Sequence, residues 1–239
     1  RLPAYLARPD DRAAHSAIVV VNEIFGIHDY IKDVCRRLAR EGYAALAPDY
    51  FDRAGDPAPL TDFNAIRDIV ATATHEQVMG DTEGALEWLR DQGRRQISFV
   101  NSSRIGITGF CWGGSVAWMA AARFEQIKAG VAWYGRLVRP APGHWGAEEE
   151  RPWPYDVGAL IRAPVLGLYA ENDRGIPLES VENMRAALAA ADNPTSSEIV
   201  VYPGVGHGFH ADYRESYDAA AAAEGWARML AWFRAHGVS

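Results

Sequence analysis

The stretch GITGFCWGGSVAW, residues 106–118, changes from a strand-like run to a helix-like run around a single cysteine. Its centre, GFCWG, fits the pattern of a nucleophile between two glycines that follows a strand and opens a helix. Gly109 and Gly113 leave room for a sharp turn, and a helix N-terminus favours a thiolate. The stretch predicts that Cys111 is a nucleophile held at a tight turn. The alternative is a buried structural cysteine.

Strand-like and helix-like segments alternate along the rest of the chain. Continuous β-branched runs, such as that within 15–23, are typical of strands buried on both faces. The predicted strands are 15–23, 43–50, 103–110, 127–135, 163–173 with a loop at its end, and 196–204; the predicted helices are 31–42, two within 61–92, 113–124, 178–191 and 213–236. The alternation predicts one α/β domain over 1–239, a doubly wound, mostly parallel sheet with helices on both faces.

Composition narrows the range of partners and compartments. The chain has 239 residues, 49% of them hydrophobic, and a formal net charge of −7 without a basic stripe, so neither nucleic acid nor a membrane surface is expected as a partner. No apolar run has the length of a membrane span. Two cysteines without metal-ligand spacing favour a reducing, cytoplasmic setting. The sequence begins at Arg1, which leaves open an upstream segment that has been removed.

Reactive side chains follow several of the predicted strands, at the edge where the active site of such a sheet lies. Besides Cys111, these are Glu23, Asp173 and His207. His207 stands in the glycine-rich loop PGVGHGFH (203–210) and predicts a general base; the alternative is a surface or capping histidine. Asp173 would orient it, with Glu171 as a rival and a turn residue as the alternative role. The order Cys, Asp, His is that of the α/β-hydrolase triad.

Other features of the same edge complete the predicted site. Glu23 ends a very apolar strand, so it is expected to be paired or functional; the alternative is a solvated loop residue. The backbone N–H groups of Ile24 and Trp112 would form the oxyanion hole. His207 and His210 could begin a metal site, but no third ligand is evident, and we expect neither metal nor cofactor.

These segments together resemble the dienelactone hydrolase family over almost the whole chain. The resemblance is carried by VVVNEIFGIHDYIKDVCRRLAREGYAALAPDYF (19–51), GITGFCWGG (106–114), KAGVAWYG (128–135), LGLYAENDRGIP (166–177) and GHGFHADYR (206–214). It implies an α/β-hydrolase fold without a large lid, with Cys111 as nucleophile and Asp173 and His207 as its partners. It also implies that Glu23 contacts the resting thiol and controls when a thiolate forms.

The resemblance also implies a substrate, an unsaturated lactone whose carboxylate the family holds with arginines. His210 and Ala211 stand where a basic residue close to His207 would be expected. The candidates nearby are Tyr213 and Arg214, with Arg136 and Arg174 as others. Tyr134 and Trp145 are candidates for an aromatic pocket, along with Trp153 and Tyr155; ordinary core packing is the alternative for each.

The expected activity is cysteine-dependent hydrolysis of a lactone or activated ester through an acyl-thioester. One alternative is a general carboxylesterase or thioesterase on the same triad. Another is a catalytically idle fold in which Cys111 serves redox sensing or binding. Metal-dependent hydrolysis lacks a ligand set. The expected partners are a small-molecule ester or lactone, with the chain as a monomer or weak homodimer.

Overall fold

The computed structural model describes residues 2–96, 98–191 and 195–239. Its centre is a seven-stranded sheet in the order β1-β3-β2-β4-β5-β6-β7, in which only the β1–β3 pair is antiparallel. The strands are β1 (Ala4–Ala7), β2 (His15–Val21), β3 (Ala44–Pro48), β4 (Val100–Phe110), β5 (Ile127–Trp133), β6 (Val165–Ala170) and β7 (Glu198–Tyr202). The predicted doubly wound α/β sheet is confirmed.

Six α-helices of the described chain connect or follow these strands: α1 (Asp29–Arg40), α2 (Phe63–Thr72), α3 (His75–Gly93), α4 (Trp112–Arg123), α5 (Leu178–Ala189) and α6 (Ala219–Ala235). A 3₁₀ helix, Pro154–Leu160, lies between β5 and β6. The central strands β5 and β6 are almost wholly buried, as expected when helices cover both faces of a parallel sheet. Within the described residues, no helix is both long and apolar enough to cross a bilayer.

The predicted start of the last helix, Tyr213, is wrong. Helix α6 begins at Ala219, because the carboxylate of Asp218 caps it by accepting a hydrogen bond of 2.8 Å from the N–H of Ala221. The preceding residues instead form successive turns, in which the N–H of Arg214 donates to the carbonyl of Ala211 and that of Tyr217 donates to Arg214. These turns place two side chains at the active site, as described below.

Strand β1 was not predicted. It has only four residues, alternates between exposed and half-buried positions, and pairs antiparallel with β3 through Ala4 and Pro48. Four residues are too few to give a clear periodic signal in the sequence. The segment is a strand because it pairs with β3 at the edge of the sheet. Strand β4 also begins earlier than expected, at Val100.

The connection from β4 to α4 depends on backbone contacts that only glycine allows. A Cβ atom at Gly109 would lie 1.9 Å from the carbonyl oxygen of Gly113, and one at Gly113 would lie 2.5 Å from that of Val21. At Gly114 it would lie 2.6 Å from the carbonyl oxygen of Trp133. Helix α4 therefore starts in direct contact with the ends of β2 and β5, which fixes the position of the residue between β4 and α4.

We expect Gly109→Ala to lower the free energy of unfolding by about 3 kcal/mol, because neither backbone segment can move away from the added methyl group. Gly84→Ala is the matched control: Gly84 lies in α3 with no atom within 4 Å of its virtual Cβ. The control should raise stability by about 0.5–1 kcal/mol through helix propensity. Urea unfolding of both variants tests this, and equal stability of the two would contradict it.

Candidate active site

Cys111 is the residue between β4 and α4. It has a φ of 54° and a ψ of −116°, in the positive-φ region that non-glycine residues rarely adopt. Its N–H donates to the carbonyl of Trp133 at 3.0 Å, and its partly buried thiol faces a cavity. A residue held in this region costs on the order of 1–3 kcal/mol, which the surrounding packing must offset. Such strain is a feature of nucleophile elbows.

A continuous line of contacts runs from this thiol to a buried carboxylate. His207 Nε2 lies 3.2 Å from Cys111 Sγ, and His207 Nδ1 lies 2.6 Å from Asp173 Oδ2. The other oxygen of Asp173 accepts a hydrogen bond of 2.8 Å from the N–H of Gly175. The carboxylate thus has its orientation fixed and holds the imidazole towards the thiol.

The rival carboxylate, Glu171, has a different role. Its side chain is exposed and accepts a hydrogen bond of 2.8 Å from the N–H of Gly204, on the loop that carries His207. The N–H of Asn172 donates to the carbonyl of Val205 at 2.9 Å and joins the same two loops. Glu171 therefore helps to align the loops that follow β6 and β7, while Asp173 is the residue that contacts the imidazole.

The electrostatics of His207 favour its protonated form. Burial opposes the charge, but the adjacent Cys111 sulfur and the Asp173 carboxylate outweigh it and raise the pKa of His207 to about 10. A protonated imidazole beside the sulfur is the arrangement that stabilises a thiolate. By contrast, burial and the charge of Arg37 lower the pKa of His210 to about 3.

The two histidines considered as metal ligands have separate partners. His210 is buried and its Nδ1 lies 2.6 Å from the hydroxyl of Tyr30, whereas His207 is engaged by Asp173 and Cys111. No cluster of metal-ligating side chains occurs among the residues that the structure describes.

The thiol opens into a cavity of about 450 Å³. Its lining includes both predicted oxyanion residues, Ile24 and Trp112, and the aromatic candidates Tyr134 and Trp145. In the described parts of the chain the N–H groups of Ile24 and Trp112 have no hydrogen-bond acceptor. Donors that are free beside a nucleophile can stabilise an oxyanion. The predicted pocket residue Tyr155 does not line this cavity and is 45% exposed.

Glu23 is fully buried and has partners of its own. Its Oε2 accepts a hydrogen bond of 2.5 Å from the Tyr213 hydroxyl, and its Oε1 lies 3.1 Å from Nη2 of Arg214. His28 Nε2 lies 3.7 Å away. Burial alone would raise the pKa of Glu23, but His28, Arg214 and Tyr213 hold it below its usual range. Glu23 is therefore a stable buried anion.

This arrangement differs from the contact between Glu23 and the resting thiol that the family resemblance implied. No hydrogen bond within the described chain joins Glu23 to Cys111. The sulfur is hydrogen-bonded to His207, and the carboxylate is hydrogen-bonded to Tyr213 and Arg214. It also changes the role expected for Tyr213 and Arg214. Arg214 lines the cavity, but its charge is already balanced by Glu23.

Arg136 is a half-buried cavity cation that has no ion-pair partner among the described residues. Its Nη1 donates to the carbonyl oxygen of Trp145 at 2.8 Å, and no carboxylate of the described residues lies within ion-pair distance of it. Burial lowers its pKa. Like the other site residues it follows the end of a strand, β5, a signal available in the sequence. Arg174 also lines the cavity but is exposed.

The long connection after β5 supplies the predicted aromatic candidate Trp153 and two cavity residues that sequence reasoning missed, Glu149 and Arg151. Arg151 pairs with Glu149 at 2.5 Å and stacks on the Trp153 ring at 3.6 Å, and all three residues line the cavity. The indole N–H of Trp153 is buried without an acceptor in the described chain. Nothing in the irregular stretch 136–158 distinguishes Glu149 and Arg151, because only the folded loop brings them to the cavity.

A strained cysteine elbow at the carboxyl edge of this sheet, with a histidine and an aspartate on later loops, defines the α/β-hydrolase class. The sequence profile of the dienelactone hydrolase family matches residues 2–237, and the chain belongs to this family. It is accordingly a carboxylic ester hydrolase. A solved structure from Klebsiella pneumoniae, described as a "Putative Dienelactone Hydrolase", is 43% identical, has a TM-score of 0.87, and is covered over 92% of its length by 98% of this chain.

Curated relatives agree with this assignment. A protein of Methylorubrum extorquens named "Putative carboxymethylenebutenolidase" is 45% identical over 239 residues, 100% of this chain and 78% of that protein. A protein of Bradyrhizobium named "Probable 2-oxo-3-(5-oxofuran-2-ylidene)propanoate lactonase" is 32% identical over 98% of this chain and 89% of its own length.

The contacts of His207 predict an unusual titration. We expect its ring proton signal in NMR to change with a midpoint near pH 10, against about 6.5 for an ordinary histidine. A raised pKa stabilises the folded state fully below the unfolded value, and this contribution is lost as the pH rises through about 10. Cys111→Ala should lower the midpoint, because it removes the sulfur that helps to raise the pKa of His207. A midpoint near pH 6.5 in both wild type and Cys111→Ala would contradict the contacts of His207 with Asp173 and Cys111.

The Glu23–Arg214 pair predicts a pH-dependent loss of stability. Arg214→Gln should cost about 3 kcal/mol at neutral pH, because it leaves a buried carboxylate without its cation. Since the pKa of Glu23 is depressed in the fold, this contribution is present above about pH 4.3 and lost as the pH falls, so the gap to wild type should narrow in acid. Urea unfolding at several pH values measures it.

Arg174→Gln is the control, because Arg174 is exposed on the same cavity and makes no ion pair within the described chain. It should change stability by less than about 0.5 kcal/mol. Adding Glu23→Gln to Arg214→Gln should restore much of the loss. A double variant as unstable as the single one would show that the carboxylate charge is not the cause.

Proposed function

We propose that this enzyme hydrolyses a lactone or an activated ester with Cys111 as nucleophile, His207 as general base and acid, and Asp173 as the group that orients His207. The observation that carries the proposal is the unbroken line from Cys111 Sγ through His207 to Asp173, with separations of 3.2 Å and 2.6 Å. The raised pKa of His207 supports a thiolate–imidazolium pair before substrate binds.

In the first half of the reaction the Cys111 thiolate attacks the substrate carbonyl carbon. The carbonyl oxygen becomes an oxyanion, which the N–H groups of Ile24 and Trp112 stabilise by roughly 3 kcal/mol each. The carbon–oxygen bond of the ester then breaks, the leaving oxygen takes the proton of His207, and an acyl-thioester on Cys111 remains. In a lactone the leaving oxygen stays tethered to the acyl group.

In the second half, neutral His207 removes a proton from water and the hydroxide adds to the thioester carbon. Collapse expels the thiolate and restores the thiolate–imidazolium pair. A thiolate is a good nucleophile and also a good leaving group. It therefore favours activated esters, enol lactones and thioesters over amides, whose leaving groups are poorer.

We infer that the lactone carries a carboxylate and that Arg136 binds it. Tyr213 and Arg214 are engaged by Glu23, whereas Arg136 is a half-buried cation at the cavity without a carboxylate partner in the described chain. The lactonase names of the relatives favour a lactone substrate. Tyr134, whose buried hydroxyl has no partner in the described chain, and Trp145 would complete the pocket.

We propose that Glu23 is a second acceptor for the Cys111 proton in molecules whose thiol has not already transferred it to His207, once substrate binding rearranges the site. Its support is positional: a fully buried carboxylate stands beside Ile24, a residue of the same cavity as the thiol. Tyr213 and Arg214 would then be positioning residues that hold the anion away from the sulfur in the resting enzyme.

The alternative is that the enzyme is a general carboxylesterase or thioesterase that uses the same three residues on a wider range of substrates. We place the enzyme in a reducing, cytoplasmic setting, which the two free cysteines, Cys35 and Cys111, support.

The test compares a dienelactone with p-nitrophenyl acetate as substrates of wild type, Cys111→Ala and Cys111→Ser. We expect wild type to prefer the lactone, and Cys111→Ala to lose at least about a thousandfold in kcat for both substrates. Cys111→Ser should keep the fold and lose most of the activity, because a serine hydroxyl is not ionised beside His207. Activity that survives in Cys111→Ala would rule out Cys111 as the nucleophile. Preference for the simple ester would keep the nucleophile and favour the esterase alternative.

Arg136→Gln should raise KM for the carboxylate-bearing lactone roughly 10- to 100-fold, the value of one hydrogen bond to a charged group, and leave KM for p-nitrophenyl acetate nearly unchanged. Arg139→Gln is a close control: Arg139 donates to the carbonyl of Ala147 at 2.9 Å, as Arg136 does to Trp145 at 2.8 Å, but it does not line the cavity. Equal effects of Arg136→Gln on both substrates would exclude carboxylate recognition.

A further inference from the structure

A second cavity, of about 540 Å³, adjoins the one that contains the thiol. Both cavities are lined by Trp112, Ser115, Trp145, Gly146, Glu149 and Arg151, so they meet at the first turn of α4 and at the loop after β5. Trp145 stands between them, with the Phe63 ring at 5.9 Å and the guanidinium of Arg67 at 5.8 Å. Nothing in the reaction proposed above uses this second space.

The inner walls of the second cavity are apolar. Helices α2, α3 and α4 contribute the side chains of Val70, Val78, Met79, Val116 and Met119, each of which is at most 6% exposed. Charged groups, among them Glu148, Glu150 and His75, belong to the same lining. A wall of this kind binds alkyl groups, because each methylene moved from water into it is stabilised.

The reaction in the first cavity determines which part of an ester points towards the second cavity. His207 must protonate the leaving oxygen, so the alcohol part of an ester lies on the side of His207 and Asp173, and both residues line the first cavity only. The acyl part must then point away from His207. Trp112, whose N–H faces the developing oxyanion in our proposal, lines both cavities, so the second cavity begins beside the acyl carbon.

The floor of this path is one face of α4. Trp112, Ser115, Val116 and Met119 stand at positions i, i+3, i+4 and i+7 of one helix face, and all four line the second cavity. From Trp112 to Met119 the helix rises about 10 Å. The path therefore has the length of an extended acyl chain of medium size, longer than a compact lactone ring requires.

We propose that the second cavity is an acyl-chain site and that the enzyme also hydrolyses esters or thioesters of unbranched, medium-chain fatty acids. This inference rests on the proposed Cys111 mechanism. A lactone, whose acyl and alcohol parts form one ring, occupies the first cavity alone, whereas an ester of a medium-chain acid occupies both.

The first test is the acyl-length dependence of the wild-type enzyme on p-nitrophenyl butyrate and octanoate. Octanoate adds four methylenes, each of which contributes roughly fourfold when fully buried, so we expect kcat/KM to rise at least about 10-fold. A ratio at or below one, with butyrate hydrolysed, would overturn the acyl-chain site and leave the proposed function intact. Failure to hydrolyse either ester while the dienelactone is hydrolysed would overturn this inference and leave the proposed function intact, and failure on all three substrates would overturn both.

The second test fills the cavity from its rim. Ala71 is exposed at the end of α2 and lines the second cavity only, so Ala71→Trp can fold without repacking the core. It should lower kcat/KM for octanoate at least about 10-fold and leave butyrate and the lactone within about twofold, since it removes burial of the distal methylenes alone.

Thr72→Trp is the matched control, because Thr72 is the next residue, also exposed, and outside the lining. It should leave kcat/KM unchanged for both butyrate and octanoate. Ala73→Trp, half-buried in the same lining, serves as a second blocking variant, with the thermal unfolding midpoint measured for each protein. Equal loss on butyrate and octanoate, or no loss on octanoate in either blocking variant that keeps the wild-type midpoint, would overturn the proposal.

Discussion

The close approach of backbone segments around Cys111 is the constraint on which the rest of the site depends. Three glycines let α4 start against the ends of β2 and β5, at separations that leave no space for a side chain. Cys111 is forced into a positive φ by the turn and is held there by a hydrogen bond to the carbonyl of Trp133. The same turn directs the thiol into the cavity and leaves the N–H of Trp112 without an acceptor among the described residues.

Two buried carboxylates organise the charges around this thiol, and each has a different partner. Asp173 holds His207, and the pair keeps a positive charge next to the sulfur. Glu23 is balanced separately by Arg214 and Tyr213. Because a buried charge without a partner is costly, this division gives each acid its own partners without drawing His207 away from the sulfur. It also leaves Arg136 as a cation that can bind a substrate anion.

Helix α4 links the chemistry to the shape of the space around it. Its first residue, Trp112, carries the N–H that we propose as an oxyanion donor, and the face that continues through Ser115, Val116 and Met119 lines a second cavity. The rigid elbow therefore positions the donor and the wall together. In the proposed acyl-chain site, a substrate that reaches along this face would be aligned by its acyl chain while its carbonyl group stays beside Cys111.

The sequence by itself determined the order of strands and helices, the elbow, and the identity of Cys111, Asp173 and His207 as residues that the fold brings together, because these depend on periodicity, on glycine spacing and on positions just after strands. Strand β1 and the start of α6 were outside its reach, since one depends on a partner strand and the other on a cap that competes with helix propensity. Only the tertiary structure decided the partners of Glu23 and the presence of a second cavity. It also decided that no carboxylate of the described residues pairs with Arg136. Each depends on distances between loops far apart in the chain, and local sequence does not encode those distances.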